Sequence, residues 1–183
     1  MMTPKLLFLL AIGSAAFCRA EAQQFMTREG QVHFFSSTPL EDIEADNGQM
    51  SAILDEATGG FAFQVQMRAF HFPKALMEEH FNESYVESDA FPKATFRGTL
   101  EAWDPSMEGQ GPVAVVAQGE FDFHGVKTAR SIPGEIVRKD GKWVLDARFD
   151  IALKDHNIQV PAVVRDNIAA TIAVDVHAEL APR

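Results

Sequence analysis

Cysteine is nearly absent. The 183 residues contain one, Cys18, and it falls in an N-terminal stretch that reads as a removable leader. Lys5 supplies the positive start and Leu6 to Phe17 the apolar run. Ala20-Glu21-Ala22 then places small residues where a signal peptidase reads, so the expected cut is before Gln23. A long apolar run is lacking too: about 12 residues are too few for a membrane anchor, which needs roughly 20. Lipoprotein processing at Cys18 is the alternative, but bulky Phe17 stands where that processing takes a small residue. Export through a cleaved signal is the expectation, to the periplasm or the exterior, leaving residues 23–183 as the mature chain. That chain has no thiol, so no disulfide can staple it and a hydrophobic core must hold it.

Positive charge is scarce as well. The formal charge is −10, and loss of Lys5, Arg19 and Glu21 (two of 16 basic and one of 26 acidic residues) makes it −11. Such a field repels nucleic-acid phosphates. Low-complexity runs, repeats and Pro/Ser-rich linkers are missing, so about 160 residues read as one domain. Catalytic signatures are missing too. His33, His71, His80, His124, His156 and His177 are scattered without metal-ligand spacing, and Glu78, Glu79 and His80, as helix neighbours, point apart. There is no GxSxG elbow, and Gly109-Gln110-Gly111-Pro112 lacks the lysine and following helix of a phosphate loop. Asn82-Glu83-Ser84 fits a glycosylation sequon, which a bacterial-type leader makes incidental. No metal, cofactor or catalytic group is expected.

What is present is alternation. Phe61, Phe63, Val65, Met67 and Ala69 alternate with polar neighbours, as do Ala94, Phe96, Gly98, Leu100 and Ala102. The same period runs through Val113 to Phe123, Trp143 to Ile151 and Ile172 to Leu180, with noisier strands near Phe25, Val32–Ser37, Met50–Leu54 and Arg130–Arg138. Asp140-Gly141 and His124-Gly125 read as hairpin turns, because these residues tolerate positive φ. Helical spacing of Leu76, Met77, His80 and Phe81 predicts a short helix near Pro73–Tyr85, with Pro73 in its first turn; Pro161–Ala170 fits a short helix or a loop. Eight or nine antiparallel strands make a sandwich or a closed barrel. Small residues on the dry faces (Ala69, Ala94, Gly98, Ala102, Ala117, Gly119, Ala147) either empty an interior or fit a taper, and the pattern alone leaves both open.

The densest motif lies between two of these strands. Ala75, Leu76, Met77, Glu79, His80, Phe81, Asn82, Glu83, Tyr85, Ser88, Pro92, Lys93, Ala94, Thr95, Phe96 and Gly98 spell the pattern ALMxEHFNExYxxSxxxPKATFxG. In this the chain resembles an exported bacterial branch of the YceI-like family of lipid-binding barrels. Gly119–Lys127 (GEFDFHGVK) and Pro161-Ala162-Val163-Val164 before Ile168-Ala169 extend the resemblance more thinly. One stretch departs: where many members carry an Arg-x-Asp-Phe-like motif, this chain has Lys154-Asp155-His156-Asn157-Ile158, so a head-group role for that arginine does not carry over.

The resemblance implies an all-β, antiparallel, lipocalin-like closed barrel of about eight strands around an apolar tunnel. It implies a binding or carrier protein for an apolar lipid, isoprenoid or quinone-like, that performs no chemistry and leaves room for membrane contact during ligand exchange. Tail contacts are then expected at Phe63, Val65, Met67, Phe96, Leu100, Phe121, Phe123, Phe149 and Ile151, with Phe72, Leu76, Phe81 and Tyr85 as a roof and His80, Asn82 or Lys93 near a polar head. His80 and Asn82 fit equally well as backbone partners where the helix stops. A charged head would need cations such as Lys74, Lys93, Arg97, Lys127 or Arg165, which the sequence does not gather. Two other classes stay open: a filled barrel serving as an interaction module, and an enzyme acting on a lipid or small metabolite.

Overall fold

The computed structural model describes residues 23–107, 109 and 111–183, so the expected leader lies outside the described residues. The alternating runs form eight strands: β1 (Gln24–Ser37), β2 (Asp42–Asp55), β3 (Gly60–Gln66), β4 (Lys93–Glu101), β5 (Val113–Phe123), β6 (Val126–Lys139), β7 (Lys142–Ala152) and β8 (Thr171–Pro182). They pair antiparallel in chain order, and β8 returns to β1 to close a barrel. Closure removes the unpaired edges that a sandwich of the same strands would expose.

The noisy strands of the N-terminal third are in fact among the longest. β1 and β2 run 14 residues each, and their pairing slips between Thr27 and Gly30 and again between Gly30 and Val32. Each irregularity shifts the phase of inward positions, so that Asn47 and Met50 are both buried although they are three residues apart. A strict period of two therefore underrates these strands.

Several expectations need correction, and the choice left open for Pro161–Ala170 is decided. Met67 and Ala69 are not strand residues: β3 stops at Gln66, and Met67–Ala69 form a 3-10 turn. Asn47 Nδ2 holds Gln66 O at 2.9 Å, Met67 N bonds Pro92 O at 2.9 Å, and His71 exchanges backbone hydrogen bonds with Asp46, bending the chain over the barrel end. Ala102 also lies outside its strand, with φ of 52° just past the end of β4. The Pro161–Ala170 segment holds only a 3-10 turn at Ala162–Val164, where β-branched Val163 and Val164 disfavour helix extension. The helix after β3 does form, as α1 (Ala75–His80) continued by a π turn over Phe81–Tyr85, but Pro73 stays outside it because Lys74 at the N-cap is extended. Asn82 ties that turn to its neighbours: its Nδ2 donates to Glu78 O, and Ser88 Oγ donates to its Oδ1 at 2.7 Å.

One end of the barrel is a packed floor. Trp143 is fully buried, stacks edge-on against Trp103 at 5.0 Å and donates Nε1–H to Glu56 Oε1 at 3.0 Å. The same oxygen accepts from Arg138, whose guanidinium lies 4.3 Å from the Phe25 ring centre and 5.0 Å from that of Trp143. Near mid-barrel Gly98 faces Gly119, and a Cβ on Gly98 would come 1.8 Å from Gln118 O. These two glycines therefore let β4 and β5 approach, and do not open the interior. Replacing Gly98 by Ala should lower stability by about 2 kcal/mol or more, because the clash is with backbone; chemical denaturation of both proteins checks this.

Opposite the floor the wall is looser. β6 pairs with β7 only from Gly134 to Lys139, and its first half is tied to β7 through Arg130, whose guanidinium donates to Asp150 O and lies over Phe121 and Phe149.

Candidate functional site

The inward positions above the floor do not fill the barrel. They leave a cavity of about 390 Å³, a volume typical of small-molecule sites. Its walls come from nearly every strand because each contributes alternate residues: Val32 and Phe34 from β1, Ile43 and Met50 from β2, Val115 and Ala117 from β5, Ile132 from β6, Leu145 and Ala147 from β7, and Val174 and Val176 from β8. Ala94, Ala117 and Ala147 line the space, so these small inward residues do make room. The interior is open, which answers the question the pattern of small residues left undecided.

All twelve candidate ligand-binding residues face this cavity. Phe63, Val65 and Met67 stand on one side, with Phe96 and Leu100 beside them. Phe121 and Phe123 continue the wall on β5, with Phe121 paired to Phe96, Phe149 and Ile151 line it from β7, and Phe72, His80 and Phe81 lie at the top. Of the remaining roof residues Tyr85 lines the cavity, while Leu76 turns outward and is exposed. Asn82 and Lys93 do not line it.

The roof is an aromatic cluster. Phe34 and Phe81 stack at 5.6 Å, Phe70 and Phe72 each approach Phe81 within 5.4 Å, and all four rings face the cavity. The bend after β3 carries Phe70 and Phe72 there, and Glu78 Oε2 fixes the bend by accepting from Phe72 N at 3.2 Å. Phe34 is masked in the sequence pattern because it sits in the phase-shifted β1.

Polar groups gather at the mouth. Ser36, Glu41, His80, Tyr85, Thr95 and Asn167 are on the lining there, and Glu41 is the only Asp, Glu, Lys or Arg among the lining residues described. Lys74 Nζ at 3.1 Å and Asn167 Nδ2 at 3.2 Å both donate to Glu41 and hold its carboxyl below the usual range, Lys74 having the larger effect. Glu41 thus latches the β1–β2 turn to the start of the α1 segment and to the loop before β8. Ser36 Oγ accepts from Ala169 N at 3.0 Å and secures that same loop. The Tyr85 phenol, protonated at neutral pH and pushed further up by burial, is a hydrogen-bond donor there.

A buried histidine supports the wall. His156 is fully buried against Phe121 and Phe123 and donates Nδ1–H to Phe123 O at 3.2 Å. Desolvation lowers its pKa more than Asp155 and the Phe123 carbonyl raise it, with Arg130 and His124 adding to the lowering. The unfolded chain therefore binds the proton first as pH falls. His156 contributes stability above the ordinary histidine pKa of about 6.5, and that contribution fades as pH drops from there toward the folded value. The urea midpoint should consequently fall between pH 7 and 5, with a shallower fall in His156→Gln.

Among the described residues no group of three or more His, Cys, Asp or Glu side chains is placed to hold a metal ion, and no helix is long and apolar enough to cross a membrane.

Comparison with known proteins agrees with this architecture. The profile of the YceI-like domain matches residues 15–180. A polyisoprenoid binding domain from Saccharophagus degradans implicated in plant cell wall breakdown superposes with a TM-score of 0.74 at 14% identity, covering 88% of this chain and 99% of that one. BcnA of Burkholderia cenocepacia gives 0.69 at 14% identity, covering 83% and 96%. The Campylobacter jejuni YCEI protein gives 0.51 at 12% identity, covering 100% and 99%. At such identities the likeness is one of fold. No curated protein sequence matches.

Proposed function

The chain belongs to the YceI-like family, and on that premise we propose that it is a periplasmic carrier that encloses one long apolar lipid, a polyisoprenoid or quinone-like molecule, without chemical change. The observation that carries this reading is the cavity itself, sealed at the floor, aromatic and aliphatic along its walls, and polar only at the mouth. Each methylene withdrawn from water contributes about 0.8 kcal/mol, so about ten suffice for tight binding without strong polar contacts. The name of the Saccharophagus domain supports the isoprenoid choice. The leader-like N-terminus supports the compartment.

The mouth favours an uncharged head. Glu41 stays ionised there, and the nearest cation, Lys74, already neutralises it. A phosphate or pyrophosphate would meet a carboxylate with no lysine or arginine among the described lining residues, whereas a hydroxyl, quinone or amide finds donors and acceptors in Tyr85, Asn167 and Ser36.

Purifying the mature protein without detergent, extracting it with organic solvent and analysing the extract by mass spectrometry tests the reading. One lipid per protein is the expected result. An empty extract, with a melting temperature that added isoprenoid leaves unchanged, would refute it.

A further inference from the structure

Three apolar side chains are wasted as core and stand in water: Leu40 at 68% exposure, Leu76 at 61% and Val163 at 89%. They lie on three separate segments, and each sits beside a residue at the cavity mouth: Leu40 precedes Glu41, Leu76 precedes Met77, and Val163 precedes Val164. The Glu41–Lys74 and Glu41–Asn167 hydrogen bonds tie the same three segments together, so the tips share one rim. Resting on the carrier reading above, we infer that this rim docks on the surface of a bilayer of net-neutral lipid and delivers the mouth to it.

Two observations select that occupant. The first is the continuity of the rim with the cavity, because a long apolar chain that crossed water would expose the surface the cavity exists to cover. A mouth pressed to the bilayer lets the chain pass between two apolar media. The second is charge. Within residues 38–42, 73–80 and 161–168 the acidic groups Glu41, Asp42, Glu78, Glu79 and Asp166 stand against Lys74 and Arg165, with His80 as the remaining titratable group. With that excess of acid, an anionic surface is repelled and a net-neutral one is not, so insertion of the three tips, and not a basic patch, must hold the protein.

Co-sedimentation of the mature protein with phosphatidylcholine vesicles, with and without 30% phosphatidylglycerol, reads the docking; L40S/L76S/V163S is the variant. The intact protein should bind phosphatidylcholine at least as well as the mixture and lose less than about twofold between low and high salt, since few screened charges contribute. The variant should bind about tenfold more weakly or worse, with an unchanged melting temperature because the tips are exposed. Absence of vesicle binding, equal binding by the variant, or a dimer in solution that the variant dissociates would overturn the inference. Uptake of geranylgeraniol presented in solution is measured in parallel. Uptake without docking removes the rim proposal and leaves the carrier, and docking without uptake removes the carrier.

Discussion

Ala117→Trp is expected to weaken binding of a long-chain isoprenoid alcohol by about a hundredfold while the barrel stays folded. Ala117 lies in the middle of β5, paired with Leu100 on one side and Ile132 on the other, and faces the cavity. An indole there occupies space that the ligand chain would use. Excluding about four methylenes at about 0.8 kcal/mol each removes about 3 kcal/mol, which is the hundredfold. Titration with geranylgeraniol followed by fluorescence, beside a thermal melt, checks both halves. Unchanged affinity would place the ligand elsewhere, and a collapsed melt would mean that no room existed, since overpacking a filled core costs roughly 1–3 kcal/mol. Phe121→Trp and Met67→Trp probe two further lining positions in the same way.

Trp143→Ala should cost about 3–5 kcal/mol of stability, a large share of what a domain of this size possesses. The loss has three parts. The indole is fully buried, so its removal leaves a hole at the floor. Trp103 loses its edge-on partner. The Arg138 guanidinium, set over the rings of Phe25 and Trp143, loses one of its two apolar faces, while Glu56 loses the indole donor. Urea unfolding, followed by far-UV circular dichroism, measures it. A loss below about 1 kcal/mol would mean that the floor is not packed as described.

Much of the fold could be read from alternation, because most strands bury one face and so print a period of two. β4, β5, β7 and β8 were legible in this way down to their inward residues. β1 and β2 were not, since bulges shift their phase, and Phe34, the centre of the aromatic roof, was hidden with them. Turn chemistry was legible where the residue tolerates positive φ, as at His124-Gly125 and Asp140-Gly141, which have φ of 51°, 72°, 51° and 76°.

The site was legible only as far as a strand period reaches. Phe63, Phe96, Phe121 and Phe149 could be assigned to a dry face, and a closed barrel brings dry faces together. Glu41 and Asn167 could not be found, because their meeting with Lys74 depends on how three loops fold over the mouth. Leu76 was misjudged for a related reason: helical spacing places it with Met77 and Phe81, yet α1 is a single short element whose outer side faces solvent. Gly98 and Gly119 show the same limit from the other direction, since only the backbone distance between β4 and β5 reveals why they are glycine.

The sealed floor makes the barrel a depth gauge. A ligand chain entering at the mouth would come to rest above the floor of Trp143 and Phe25. A short chain leaves apolar walls facing nothing, and each added unit covers more of them, until the tip reaches the floor. Beyond that length the surplus stands outside and adds no further contact with the walls. Affinity should therefore climb with chain length and then level off, and the length at the break reports the distance from the Glu41 latch to the tryptophan floor.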